Sequence, residues 1–471
     1  MTVIKQVQKD IEMAKSQNNN KKESTKSGGR TFLYPKKPSG KLYNQRKWVS
    51  YILLLLLFAS PFIKLNGEQL VLFNFLERKF VFIGLIFTPQ DFYLFALAML
   101  ILVLFIVCFT VVLGRLWCGW VCPQTIFMEM VFRRIEYWIE GDANQQKKLD
   151  AQEWNREKIL KKGFKHFLFL AISFLISNVF LAYIISSDKL YEIITEPISE
   201  HTIGFISIWI FTFIFYGVFS YVREVVCTVI CPYGRLQGVL LDNKSLIVAY
   251  DETRGEPRGR IQKNLDQSLK GDCIDCSLCV QVCPTGIDIR QGTQLECVNC
   301  TACIDACDEV MIKIGKPEKL IGFYNHDFIK SRNKFKLGAR AWGYAAVLVL
   351  VIIIFSSLIY KREDVQTTVL RASGTLYQKR PDGTITNLYN AELINKTNKD
   401  MKFIFKSADA KDRIEFIQAD TILPREGSAH LTFFLIKQPK NIEEFKSKVK
   451  FELEVNGKVI SETKTTFFSQ P

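Results

Sequence analysis

The stretch CIDCSLCVQVCP, residues 273–284, decides the fold, and its pattern returns as CVNCTACIDAC at residues 297–307. Each run separates three cysteines by two residues and adds a fourth cysteine after three more. This is the bacterial ferredoxin spacing, in which the fourth cysteine of each run ligates the cluster of the other run. It predicts two 4Fe–4S clusters, one on Cys273, Cys276, Cys279 and Cys307 and the other on Cys297, Cys300, Cys303 and Cys283.

Two other uses of these eight cysteines fit the pattern less well. Structural zinc sites typically take four ligands from two C-x2-C pairs. Disulfides are disfavoured in the cytosol, which is where the charge distribution discussed below places this segment. The spacing therefore favours iron–sulfur chemistry.

The rest of the sequence sorts apolar and charged residues into blocks. The 471 residues are 48% hydrophobic and carry a net charge of +15, from 62 Lys and Arg against 47 Asp and Glu. These values are not typical of a disordered chain, and the block arrangement argues against a simple soluble enzyme. Residues 1–47 hold 12 Lys and Arg against 3 Asp and Glu, directly before an apolar segment. That position favours contact with anionic membrane lipid over nucleic acid, for which no basic folded face is predicted.

Five segments are apolar and long enough to cross a bilayer, which takes ~20 residues. They are 48–65, 92–113, 167–185, 203–222 and 341–360. Lys and Arg are enriched in cytoplasmic loops. Loop 114–165 carries ten of them and loop 187–202 carries one, so the first loop is expected in the cytoplasm and the second outside. Five crossings of the inner membrane then leave the N-terminus and residues 223–340 in the cytoplasm and everything after residue 360 in the periplasm.

The C-terminal part of the chain is predicted to be all-β. After residue 363 there is no cysteine, and about seven short runs read as strands, which is typical of an immunoglobulin-like β-sandwich. Asn456-Gly457 between two alternating runs is a strong hairpin signal. The expected architecture is a multi-domain membrane protein with a five-span α-helical domain. Its predicted parts are a basic tail 1–47, a membrane domain 48–240, an α+β dicluster ferredoxin insert 241–330, a linker and fifth span 331–362, and the β-sandwich 363–471.

Two further cysteine pairs share the pattern C-x3-C-P. Cys118 and Cys122 follow the second predicted span, and Cys227 and Cys231 follow the fourth, so all four are expected at the cytoplasmic membrane edge. If each helix continues, this spacing puts both sulfurs of a pair on one helix face. Four such thiols are suited to binding a soft metal such as Cu(I), to holding another cluster or to cycling as dithiols, and they also fit simple packing of helix ends. The spacing alone does not choose among these uses.

Other ligand candidates are weaker. Met128 and Met130 follow the first pair, but the apolar residues around them recur at helical spacing beside Arg133 and Arg134, which favours an interfacial amphipathic helix. Cys108, inside the second predicted span, is expected to be a packed thiol.

Three longer strings carry a family resemblance. They are RLWCGWVCPQT at 115–125, RIEYWIEGD at 134–142 and YDETRGEPRG at 250–259. Together with the ferredoxin repeat, including Asp308 after its last cysteine, they resemble the cytochrome c oxidase accessory protein family, also called CcoG, FixG or RdxA. The resemblance covers nearly the whole chain from about Tyr34 onwards.

The resemblance implies a function in the maturation of bacterial cbb-type oxidases. Members of the family are thought to act as cupric reductases, reducing Cu(II) to Cu(I) in the cytoplasm so that copper can pass to an exporting ATPase, to copper chaperones and on to the oxidase subunits. The family's C-x3-C-P cysteines, as candidate copper-binding or redox thiols, carry over onto Cys118, Cys122, Cys227 and Cys231. Its cluster ligands carry over onto the eight ferredoxin cysteines.

Two alternatives remain open at this point. One is a quinol-to-ferredoxin conduit that feeds a periplasmic reductase, although the cysteine-free β-domain argues for the accessory-protein family. The other is a non-redox assembly scaffold that uses its clusters structurally. The sequence does not identify the electron donor or the oligomeric state.

Overall fold

A computed structural model describes most of the chain, and it divides the chain into two compact units. The described residues are 32–65, 67–75, 79–82, 84–87, 91–260, 270–332, 336–372, 374, 376–425, 427–442, 444–455 and 457–469. The first unit comprises Met1–Ser50, Val112–Phe169 and Gly217–Lys336, and the second comprises Tyr51–Val111, Leu170–Tyr216 and Leu337–Pro471. Two predicted features lie wholly or partly outside the described residues, namely the basic tail up to position 31 and Asn456 of the predicted hairpin.

Four helices in the described part of the chain are long and apolar enough to cross a membrane. They are α2 (Phe92–Leu113), α7 (Arg156–Ile185), the helix Thr202–Val222 and α15 (Ala339–Tyr360). The third of these consists of α9 (Thr202–Gly217) and a π turn (Val218–Val222) that continues it. Helix α2 has the predicted bounds, whereas α7 starts well before residue 167. Its extra N-terminal turns are rich in Lys and follow Asn155, whose side chain accepts from the backbone N–H of Lys158 at 2.8 Å and so caps the helix.

The first predicted span, 48–65, differs from the structure at both ends. Helix α1 covers Lys41–Ala59, a 3₁₀ turn follows at Ser60–Phe62, and Lys64–Leu65 form a short strand, β1. The helix stops early because Pro61 has no backbone N–H to continue the hydrogen-bond ladder. Leu55 and Leu56 are nevertheless 68% and 59% exposed, as lipid-facing residues would be. The fifth crossing remains a prediction.

The segment between α1 and α2 is built from short antiparallel strands. β1 pairs with β2 (Glu68–Gln69), and β3 (Val71–Asn74), β4 (Lys79–Phe82) and β5 (Leu85–Phe87) form a three-stranded sheet. A further helix, α8 (Ser187–Thr195), follows α7.

The C-terminal domain contains nine described strands in two antiparallel sheets. One sheet has the order β12-β14-β10-β8 with β9 also on β10, and the other has the order β13-β11-β15-β16. The strands are β8 (Val365–Arg371), β9 (Gln378–Lys379), β10 (Ile385–Asn395), β11 (Met401–Ser407), β12 (Arg413–Ala419), β13 (Ile422–Leu423), β14 (Ser428–Lys437), β15 (Lys446–Val455) and β16 (Lys458–Phe468). Tyr389, Phe433 and Phe451 are fully buried between the sheets. The predicted all-β sandwich is present.

Strand β10, at the centre of the first sheet, was not among the runs predicted as strands, which include 368–378, 401–405, 413–418, 430–437 and 448–455. Its sequence ITNLYNAELIN interrupts the apolar pattern with polar residues. Two of these are buried and donate to backbone carbonyls, Asn387 to Phe468 and Asn395 to Lys399 and Pro424. Phe468 and Pro424 lie 81 and 29 residues away, so these partners cannot be read from a local pattern.

The ferredoxin segment packs around a small two-stranded sheet. β6 (Ile247–Tyr250) pairs antiparallel with β7 (Ile321–Tyr324), which brings the two ends of the segment together. Between them lie α11 (Glu252–Gly255), α12 (Leu278–Gln281), a 3₁₀ turn (Ile289–Gln291) and α13 (Ala302–Lys313), and α14 (His326–Ser331) follows. Val248, Ile289, Met311 and Ile321 form part of one core with the cysteines.

The segment that contains and follows the first C-x3-C-P pair is helical, but it is not an interfacial amphipathic helix. Its elements are α3 (Leu116–Trp120), α4 (Pro123–Ile126), a π turn (Phe127–Phe132), α5 (Arg133–Ile139) and α6 (Ala143–Ala151). Met128, Met130, Arg133 and Glu136 are all buried. The charged face points inward because its groups find partners there, as when Glu136 pairs with Arg223 through two hydrogen bonds of 2.8 Å.

Candidate cluster and thiol sites

The eight ferredoxin cysteines line two cavities in two sets of four. One cavity is lined by Cys273, Cys276, Cys279 and Cys307. A second cavity is lined by Cys283, Cys297, Cys300 and Cys303, and Cys279 also reaches it. We call these cavity I and cavity II. The structure therefore groups the cysteines in the sets expected from the spacing, while their ligation of iron remains a prediction.

The two cysteine runs fold alike because the same positions adopt left-handed backbone conformations. Asp275 and Ser277 have φ of 53° and 56°, and Asn299 and Thr301, at the equivalent positions, have φ of 51° and 66°. Left-handed residues two positions apart tighten the turn of a chain and can direct its amides toward a common centre, a geometry known from many iron–sulfur sites. The two cavities thus share one local backbone shape.

The residues present fit a cluster in each cavity. Apart from sulfur, the walls are largely apolar, with Ile287, Ile289 and Val298 around cavity II. Burial raises the pKa of Cys279 and of Cys307 to about 12, so the folded thiols hold their protons at neutral pH. Iron binding therefore has to release protons from these sites.

One buried cation lines cavity I. Arg290 donates to Asp288 from Nε at 2.8 Å and also pairs with Asp275. Its positive charge acts on Cys279. The site thus holds a guanidinium whose charge partly offsets that of thiolates.

Neither helix that precedes a C-x3-C-P pair continues through the pair. Gly114 and Arg223 adopt φ of 56° and 54° and end the helical path. The first cysteine of each pair, Cys118 or Cys227, then lies in a short helical turn. The condition under which both sulfurs of a pair would share one helix face is therefore not met.

The second cysteine of each pair occupies the same position in both motifs. Cys122 and Cys231 are extended, with ψ of 124° and 114°, and each directly precedes the proline that begins the next helix. For Cys231 this helix is α10 (Pro232–Leu240). Proline suits the first helical turn because it needs no hydrogen-bond partner there. The two motifs are thus matched in backbone as well as in sequence.

The structure brings the two pairs together into one four-thiol site, Cys118, Cys122, Cys227 and Cys231. Gln237, on α10, donates from Nε2 to Sγ of Cys118 at 3.1 Å, which links the second motif's helix to the first motif. The thiols of the two motifs lie close enough to act on one another electrostatically, since Cys231 acts on Cys122, and Cys122 and Cys118 act on Cys227. Burial is the largest cause that raises the pKa of Cys118 to about 11 and of Cys227 to about 12.

The four-thiol site lies next to cavity II. Cys118 packs in the same apolar cluster as Val298, Cys300 and Cys303. Gly119 makes this approach possible, because a Cβ there would lie 2.4 Å from the carbonyl oxygen of Val298. All twelve cysteines of the two motif types belong to the first unit, whereas Cys108 lies on α2 in the second.

Two buried arginines hold this junction. Arg115 donates from Nη1 to the carbonyl oxygen of Cys297 at 3.2 Å and from Nη2 to that of Gly234. Arg46 donates from Nε to the carbonyl oxygen of Gly119 at 2.7 Å. Sequence reasoning missed both, although Arg115 stands in the string RLWCGWVCPQT; Arg46 gives no local signal beyond a charge at the start of an apolar run.

Three family models match parts of the chain. Residues 222–326 match a 4Fe-4S dicluster domain, and residues 95–142 match a 4Fe-4S binding domain. Residues 355–470 match the model described as an IG-like fold at the C-terminal of FixG. The iron–sulfur character of the protein and the nature of its C-terminal domain are thereby confirmed.

Curated relatives align over most of the chain. Protein RdxB of Cereibacter sphaeroides is 34% identical over 382 residues, covering 77% of this chain and 79% of the relative. Protein RdxA of the same organism is 32% identical over 393 residues, covering 79% and 81%. Nitrogen fixation protein FixG of Rhizobium meliloti is 38% identical over 309 residues, covering 62% and 57%. The chain belongs to the FixG/RdxA family of iron–sulfur electron-transfer proteins.

Proposed function

We propose that this protein passes single electrons from its ferredoxin segment to the four-thiol site and delivers them to Cu(II). The observation that carries the proposal is the packing of Cys118 against the apolar cluster that contains Val298 and Cys300, two residues that line cavity II. When bound, 4Fe–4S clusters would supply one-electron chemistry, at potentials that the protein environment sets between about −700 and +450 mV.

The chain's own residues position and shield this path. Cys279 reaches both cavities, so the two are direct neighbours. Arg115 ties the backbone of Cys297, beside cavity II, to that of Gly234, beside the thiol site. Apolar walls exclude water from the path. Side chains fixed in this way keep redox centres at constant separation.

Copper is the acceptor that the family resemblance implies, and the chemistry suits it. The conversion of Cu(II) to Cu(I) consumes one electron, which is the number that a 4Fe–4S cluster exchanges. Cu(I) made in this way would serve a copper-exporting ATPase, copper chaperones and the maturation of a cbb-type oxidase. These partners, like the cupric reductase activity itself, belong to the proposal.

We also propose that the protein spans the bacterial inner membrane five times, with the N-terminus and ferredoxin segment in the cytoplasm and the β-sandwich in the periplasm. Loop 114–165 carries ten Lys and Arg against one in loop 187–202. The first unit collects the segments assigned to the cytoplasm, and the second contains everything after residue 337. Reporter fusions at residues 300 and 471 test this, and cytoplasmic signals from both would contradict it.

The copper proposal is tested with the full-length protein, purified and loaded anaerobically. The protein is reduced, freed of excess reductant and mixed with Cu(II) in the presence of a Cu(I)-specific chelator. We expect one Cu(I) for each electron that the clusters lose. The visible absorption of the clusters measures that loss. Cu(I) formation at the same rate with oxidised protein would overturn the proposal. Cys108→Ser is the control variant, because it removes a thiol that lies outside the proposed path.

A further inference from the structure

We propose that Cys118, Cys122, Cys227 and Cys231 together bind a third 4Fe–4S cluster, with Arg46 and Arg115 as buried cations beside it. This inference extends the proposed electron path, because it names the group that is bound at the four-thiol site. It rests on the path and does not depend on copper being the acceptor.

The spread of the four sulfurs argues for a cluster over a single ion held by three or four of them. No three of the four lie within 4.8 Å of one another, although all belong to the described chain. A single ion bound tetrahedrally at a metal–sulfur distance of ~2.3 Å would hold its sulfurs only about 3.8 Å apart. The eight described ferredoxin cysteines show the same wider spread. A cube placed between four sulfurs requires such a frame.

The two motifs contribute to this frame in the same way. Each supplies one sulfur from a helical turn and one from an extended residue held ahead of a proline. Left-handed residues at Gly114 and Arg223 bend the chain before each pair. The two ferredoxin runs likewise repeat one local backbone geometry around their cysteines.

Buried hydrogen-bond donors without acceptors occur in the first C-x3-C-P motif and in residues that contact it. Within the described structure no partner is found for five of them: Arg46 Nη2, Arg115 Nε, Trp120 Nε1, Gln124 Nε2 and Asn299 Nδ2. A buried donor without an acceptor costs about 1–3 kcal/mol, so a set of them indicates a missing acceptor. The sulfides and thiolates of a cluster are acceptors.

The buried charge points to the same ligand. Arg46 and Arg115 are 2% and 5% exposed, and neither forms an ion pair with a carboxylate of the described residues. Both act on thiols: Arg46 on Cys300, and Arg115 on Cys118 and Cys297. Buried cations need compensating negative charge. A cluster held by four thiolates is anionic and supplies it.

The family match at residues 95–142 is consistent with this assignment. It is described as a 4Fe-4S binding domain, yet it contains none of the eight ferredoxin cysteines. The C-x3-C-P motif it does contain, Cys118 and Cys122, is completed in space by Cys227 and Cys231.

Iron and acid-labile sulfide, counted per chain in full-length protein reconstituted anaerobically without copper, test the proposal. We expect about 12 iron atoms for the wild type and about 8 for the Cys118→Ser/Cys227→Ser variant. Cys108→Ser should keep the wild-type count. A wild-type count of about 8 would overturn the proposal whether or not the double variant folds. Because the iron count involves no copper, its outcome is independent of the cupric reduction assay. Either proposal can be refuted while the other is supported.

Arg46 and Arg115 are positioning residues, and their role is tested by measuring the reduction potentials of the clusters. Potentiometric titration of Arg46→Gln and Arg115→Gln, followed by electron paramagnetic resonance, should show at least one cluster shifted to lower potential, because removing a nearby cation disfavours the added electron. The exposed Lys147→Gln is the control and should leave all potentials unchanged. Unchanged potentials in both arginine variants, with the iron count intact, would refute this role.

Discussion

The backbone N–H of Tyr43 donates to Oδ2 of Asp305 at 2.7 Å, and that of Leu42 donates to Oδ1 of the same carboxylate at 3.1 Å. Asp305 lies on α13 between Cys303 and Cys307 and is buried. A carboxylate from the ferredoxin segment thus caps the N-terminus of α1, where free N–H groups and the helix dipole favour negative charge. Gly40 gives it room, since a Cβ there would lie 2.4 Å from Asp305 Cβ and Cγ.

Replacing this cap should destabilise the first unit. Asp305→Ala removes two hydrogen bonds to a charged acceptor, each worth about 1.5–3 kcal/mol. We expect a clear fall in the melting temperature of the purified protein, and a smaller fall for Asp305→Asn, which keeps one acceptor. Glu309→Gln, which affects only an exposed pair with Lys313, is the control. Equal melting temperatures for Asp305→Ala and this control would contradict the cap.

Gly119 should tolerate no side chain. Gly119→Ala would place a methyl group 2.4 Å from the carbonyl oxygen of Val298, a backbone atom that cannot rotate away. Overpacking of this kind costs about 1–3 kcal/mol, and it should part the thiol site from cavity II. The melting temperature should fall, and electron transfer to the acceptor should become slower.

The matched control for that change is Gly163→Ala. Gly163 lies within α7, and a Cβ there meets nothing within 4 Å. Because alanine favours helix over glycine by about 1 kcal/mol, this variant should be slightly more stable than the wild type. Similar effects of the two substitutions would show that the contact at Gly119 is unimportant.

The buried pair of Glu136 and Arg223 should be costly to break. Glu136→Ala leaves the guanidinium without its two 2.8 Å hydrogen bonds, and stranding one partner of a buried pair costs about 3–5 kcal/mol. We expect low yield and a strongly reduced melting temperature. Glu157→Ala, which breaks only an exposed pair with Lys161, should leave the melting temperature almost unchanged, because solvent screens that pair.

Asp288 should make the stability of the ferredoxin segment depend on pH. Burial disfavours its charged form, but hydrogen bonds from Arg290 and the charge of that residue outweigh burial and hold the pKa of Asp288 below its usual value. The carboxylate therefore stabilises the folded state above about pH 4, and this contribution is lost as the pH falls further. The difference in melting temperature between wild type and Asp288→Asn should be constant from pH 5 to 8 and shrink below about pH 4. A constant difference throughout would argue against the ion pair.

Features set by local sequence were predictable. The ferredoxin spacing fixes which cysteines share a cavity, because three of each four lie within seven residues of one another. Continuous apolar blocks predicted α2 with its observed bounds, and alternation predicted strands such as β15 and β16. These patterns depend on backbone geometry and burial alone.

Features set by distant partners were not predictable. Gly114 was a usable signal that the helix ends, since glycine is common just past a helix C-terminus, but Arg223 in the same conformation gave none. The charges on α5 looked solvent-facing because the partner of Glu136 lies 87 residues away. Arg46 and Arg115 bind backbone carbonyls that only the folded chain supplies.

The close approach of Gly119 to Val298 also bears on how the protein can be dissected. A soluble fragment of residues 241–330 would lack Gly119, Arg115 and Arg46, which together cover one wall of cavity II. In such a fragment that wall would face bulk solvent and dissolved oxygen. Spectra and lifetimes recorded on the excised piece would therefore describe a different redox protein from the one embedded in lipid.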